Sequence, residues 1–135
     1  EYKGKFEEAV LALGHSVELD PSEPEFHHRL GQLLVRTGQT APGQQHLTRN
    51  QELQNARESL REAMDEYRNS WTRDPDRRPE IAYRFGSAYE NLGQVQESKA
   101  WYGAALSEDP AHAESIAALE RVQNASEDTK PAVVP

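Results

Sequence analysis

Apolar residues recur along this chain at three- and four-residue intervals, most regularly between Pro79 and Pro110. Ala82, Phe85, Tyr89 and Leu92 fall on one stripe of a helix, with Gly86 on its flank. Glycine inside a helix costs about 1 kcal/mol against alanine, so Gly86 predicts a partner helix that comes close enough to need the missing side chain. Gly93 ends the stripe as a left-handed C-terminal residue does, and Val95, Ala100 to Tyr102 and Ala104 to Leu106 supply a facing helix. The segment predicts an antiparallel helical hairpin. Asp-Pro recurs at Asp20-Pro21, Asp74-Pro75 and Asp109-Pro110. Proline lacks the N–H of the helical ladder and disfavours helix in the residue before it, so each pair marks the end of a second helix.

The same phase returns elsewhere. From Pro24, residues His27, Leu30, Gly31, Leu34 and Gly38 repeat the spacing of Ala82, Phe85, Gly86, Tyr89 and Gly93. A closing half with Ala63, Tyr67, Ser70, Asp74 and Pro75 arrives about 20 residues late, which predicts an insertion over 39–57. Gly4, Ala9, Leu13 and Ser16 have the phase of a second helix whose first helix is missing. After Pro110, the stretch 111–123 predicts a last helix with Ile116 and Leu119 inward, and 124–135, without a stripe and rich in proline, predicts a mobile tail.

With Pro79 as the first position, Ala82, Phe85, Gly86, Tyr89, Gly93, Ser98, Tyr102, Ala105 and Pro110 stand at positions 4, 7, 8, 11, 15, 20, 24, 27 and 32. In this the run resembles a tetratricopeptide repeat, a helical hairpin of about 34 residues. The resemblance implies an all-α solenoid of antiparallel hairpins over 1–123: a partial repeat at 1–22, an enlarged one at 24–77, a regular one at 79–112, and a capping helix at 111–123. It also implies a protein-interaction scaffold rather than an enzyme, because one such unit cannot bury its faces alone and a stack of them makes a binding surface. First helices of the family line a concave groove. Its positions fall here on His28, Arg29, Gln32 and Arg36, and on Tyr83, Arg84, Ser87 and Asn91. Forked arginine donors suit carboxylates, so the expected ligand is a protein or peptide, acidic or with a free C-terminus. Family members that grip chaperone termini use lysine and asparagine in the groove; this chain has only Asn91 of that set.

From Gln44 to Arg73 no glycine or proline stops a helix, and Leu47, Leu53, Ala56, Leu60, Met64, Tyr67 and Trp71 keep an apolar seam. One helix of about 45 Å and two helices broken near Asn55 both satisfy this pattern. In the first case Leu47, Leu53 and Leu60 overhang and need a cover, which makes them candidates for self-association into a homodimer. A third reading is an accessory arm of a larger enzyme.

Net charge of −8 argues against a nucleic-acid binder, and the absence of cysteine removes disulfides and thiolate chemistry. No apolar run reaches the ~18 residues of a membrane span, so the chain is expected to be soluble, with a cytoplasmic location favoured over others. No cofactor or metal site is expected. His27 and His28 point about 100° apart on a helix, with His27 on the packing stripe, and His15, His46 and His112 lack a paired spacing.

Overall fold

The computed structural model describes residues 2–128; of the tail expected over 124–135, residues 124–128 are helical and 129–135 lie outside the described residues. All described elements are helical: α1 (Tyr2–Leu19), α2 (Pro24–Arg36), α3 (Thr40–Ser70), a 3-10 turn (Pro75–Arg77), α4 (Arg78–Asn91), α5 (Val95–Glu108) and α6 (Ala113–Asp128). The fold is all-α, as the hairpin pattern predicts. Two compact units divide inside α3, at Asn55 and Ala56.

In the first unit, α1 packs on α2, and α2 on the opening of α3. Pro24 starts α2, where a missing N–H costs nothing, and the Glu23 carboxylate accepts from the Glu25 N–H. Its end is a Schellman turn: Gly38, at φ +88°, donates to the Val35 carbonyl and Gln39 to that of Leu34. Two glycines then let the helices touch by their backbones. A Cβ on Gly31 would stand 2.8 Å from the Gly43 carbonyl oxygen, and one on Gly43 would stand 2.8 Å from that of Gly31. Leu47 closes over Gly31 from the next turn of α3. Gly43 and Leu47 have the spacing from Gly31 that Ser98 and Tyr102 have from Gly86. The closing positions of this hairpin are thus filled in register by the stretch that sequence reading sets apart as an insertion. Gly4 lies inside α1, with no atom within 4 Å of its missing Cβ.

In the second unit, the end of α3 packs on α4. Ala63, Ile81 and Phe85 form a buried cluster, with Leu60, Trp71, Tyr89 and Trp101 against it. Phe85 and Trp101 stack at 4.2 Å, and Tyr67 meets both rings edge-on. Here α4 ends as α2 does: Gly93, at φ +79°, donates to the Glu90 carbonyl and Gln94 to that of Tyr89. Tyr102 on α5 fills the space left by Gly86, where a Cβ would come within 2.5 Å of its ring. Ala118 and Val122 of α6 cover the other side of Tyr102. This sets the phase of α6. Ser115, Ala118 and Val122 are buried and Leu119 packs against their cluster, while Ile116, expected inward, lies off this face and is 39% exposed. Nor does α6 stop at 123: no glycine or proline interrupts 111–130, and the helix runs on to Asp128.

Candidate functional site

The first unit brings three of its four expected groove residues together. Arg29, Gln32 and Arg36 line a cavity of about 210 Å³ whose apolar side is Leu13 and Leu33. They share a face of α2 through their spacing of three, four and seven residues. His28 is half-buried and is not part of this lining. Arg29 donates from Nε to the Glu25 carboxylate at 2.8 Å, with both side chains more than half exposed. Arg36 is exposed and also borders a wider hollow of about 710 Å³, lined by Phe6, Val10 and Leu11 of α1 with Thr37 and Gln39.

Beneath this face His27 is buried. Its Nε2 lies 2.7 Å from the Pro21 carbonyl oxygen and its Nδ1 lies 3.0 Å from Nδ1 of His46. A carbonyl only accepts, so Nε2 of His27 carries the proton and its Nδ1 accepts from His46. Burial, with His27 as a second cause, holds the His46 imidazole below its ordinary range.

In the second unit the expected groove residues are mostly engaged. Tyr83 lies between the rings of Tyr102 and His112, 5.8 Å from each. Arg84 is held by Glu66 at 2.8 Å and Glu80 at 3.6 Å, so its charge is balanced within the unit. Glu66 also takes a donor from Arg77. Ser87 is half-buried and Asn91 exposed. A polar junction not among the expected groove residues centres on Glu90. It accepts from the Tyr102 hydroxyl at 2.7 Å and from two guanidinium nitrogens of Arg121 at 2.7 and 3.0 Å. The Arg121 hydrogen bonds hold the Glu90 carboxyl below its usual range, and burial followed by Glu90 pushes the Tyr102 phenol up. Arg121 is raised in turn, chiefly by its bonds to Glu90.

Of the candidates for self-association, Leu53 is fully buried, while Leu47 and Leu60 are half-buried. Leu47 sits on Gly31, and Leu60 packs against the Ala63, Ile81 and Phe85 cluster. The overhang expected of a single long helix does not arise, because α3 changes from one set of neighbours to the next along its length. Met64 and Tyr67 keep 43% and 40% of their surface in solvent.

One cluster has no sequence signature. Glu80, His112 and Glu114 each offer a ligand atom, all within 4.8 Å of one another. His112 precedes α6; its Nδ1 takes the Ser115 N–H at 3.3 Å and lies 2.7 Å from the Ser115 hydroxyl, while its Nε2 faces Glu80 at 3.5 Å. Serine, histidine and carboxylate stand here in the order of a hydrolytic triad. The resemblance stops at access: Ser115 has no exposed surface, so no substrate reaches its hydroxyl, and the arrangement is a helix cap.

Residues 79–112 match the family model described as Tetratricopeptide repeat. This segment is similar to a tetratricopeptide repeat over its whole length. The match covers one quarter of the chain, and its two helices are α4 and α5, joined at Gly93 and held together at Gly86 and Tyr102. No curated protein matches the chain. Tetratricopeptide repeats are in general protein-interaction modules and typically non-catalytic. Among the described residues no helix is long and apolar enough to cross a membrane.

Proposed function

We propose that this chain is a protein-interaction module that takes an extended acidic peptide on the α2 face of its first unit. The observation that carries the reading is the shared cavity of Arg29, Gln32, Arg36, Leu13 and Leu33. At about 210 Å³ it is smaller than a typical small-molecule pocket and suits one or two side chains of a peptide. An apolar floor with guanidinium groups at the rim selects an apolar residue next to a carboxylate. The Arg29–Glu25 pair does not oppose this. It is an exposed pair one helical turn apart, worth well under 1 kcal/mol, so an incoming carboxylate can take its place. Arg84 is a poorer candidate, since Glu66 and Glu80 already satisfy it. Leu53 is fully buried and Leu47 and Leu60 are half-buried, so a second copy of the chain gains less by docking on them.

Selection from a random peptide library displayed on phage tests the reading directly. Enrichment of Asp and Glu beside an apolar residue is expected. A chain carrying Arg29→Glu and Arg36→Glu should bind the selected peptides about tenfold more weakly, which is about 1.4 kcal/mol across two rim charges. Enrichment of basic peptides, or equal binding by the double variant, would remove the proposal.

A further inference from the structure

We propose that Glu80, His112 and Glu114 form a binding site for a single zinc ion in the second unit. Their ligand atoms already lie within 4.8 Å of one another, and His112 Nε2 stands 3.5 Å from Glu80 Oε2. With bonds of about 2.0–2.1 Å, neighbouring ligands of a tetrahedral zinc stand roughly 3.3 Å apart, so this edge of the site needs almost no movement. Glu114 is exposed at the start of α6, and rotation about its own side chain closes the third position. An imidazole with two carboxylates suits zinc better than calcium or magnesium, which take oxygen ligands throughout.

Ser115 adds an independent argument. Its fully buried hydroxyl, 2.7 Å from His112 Nδ1, fixes the imidazole plane so that Nε2 points at the carboxylates. Zinc-bound histidines characteristically donate their second ring N–H to an oxygen acceptor, and the Ser115 hydroxyl oxygen stands where it can serve as one. Zinc on Nε2 requires that nitrogen to be unprotonated. The proton then resides on Nδ1 and is donated to the Ser115 hydroxyl oxygen, in place of the present bond from the Ser115 N–H. Binding therefore switches the His112 tautomer. Two features hold the affinity down. Arg84 lies 3.6 Å from Glu80, and both glutamates sit in first helical turns, where the helix dipole opposes a cation. Micromolar binding is expected, with water as the fourth ligand.

Isothermal titration of the metal-free chain with zinc, paired with nitrogen-15 NMR of its imidazoles, tests the site. Expected are one ion per chain, a His112 signal moving to the Nδ1–H tautomer, and a weakening of about tenfold or more in both His112→Ala and Glu114→Gln. Glu114→Gln matters because its side chain is exposed and leaves the Ser115 cap intact. Unchanged zinc affinity in folded Glu114→Gln, or a His112 signal that stays still while zinc binds, would overturn the proposal.

Discussion

At the scale of single residues, glycine does two opposite jobs in this chain, and only geometry tells them apart. Gly86 lies inside α4 and Gly103 inside α5. A Cβ on Gly86 would meet the Tyr102 ring at 2.5 Å, whereas one on Gly103 would meet nothing within 4 Å. The ring is the packed middle of the second unit and has no room to give, with Ala118 and Val122 on its far side. Gly86→Ala is therefore expected to destabilise by about 1–3 kcal/mol through overpacking, in spite of its better helix propensity. Gly103→Ala should stabilise by up to about 1 kcal/mol, because it keeps only the propensity term. Urea unfolding of the two variants checks the pair, and equal shifts in the two would refute the packing account. The sequence showed Gly86 on the flank of a stripe and so made its purpose readable. Glu90 was not readable in this way, because its partners Tyr102 and Arg121 come from two other helices and leave no spacing to detect.

At the scale of elements, the hairpins were legible and the helix that runs through both units was not. Gly38 and Gly93 end their helices with the same two Schellman bonds, and a glycine after an apolar stripe announces this from sequence alone. In α3 the pattern of apolar residues fits one helix or two equally well, since periodicity does not say which neighbour each residue meets. The structure resolves the ambiguity as one helix of 31 residues, Thr40–Ser70. Gly43 and Leu47 serve α2, while Leu60 and Ala63 serve α4. Asn55, exposed and accepting from the Gln51 side chain, lies where the neighbours change. Asn55→Pro separates the two possibilities. In a continuous helix it removes one backbone bond and crowds the preceding turn, for a loss of about 3 kcal/mol and a visible drop in helical circular dichroism. Full helicity and an unchanged melting temperature would mean that the helix is already broken there.

At the scale of the whole molecule, acid should act on the two units in order, because each holds one titrating group with a lowered pKa. In the first unit that group is His46, held below its ordinary 6.5 by burial and by His27. The unfolded chain then binds a proton that the folded chain refuses, so stability is complete above about pH 6.5 and falls as the pH drops below it. The structural reason is the partial burial of the His46 ring beside the His27 ring, which disfavours a charged imidazole there. In the second unit the group is Glu90, held below its ordinary 4.5 by Arg121. Its contribution stands above the unfolded value and disappears only as the pH falls through the lower folded one. Both tryptophans, Trp71 and Trp101, belong to the second unit and pack on the Phe85 cluster, so their fluorescence reports on that unit alone. Between about pH 6.5 and 4.5, melting followed by circular dichroism should begin at lower temperature while the tryptophan transition holds; below that window both should fall. His46→Phe removes the first titration and should flatten the early loss, leaving the tryptophan transition as it was. An early loss of equal depth in His46→Phe would assign it to another group and refute the imidazole pair as its source.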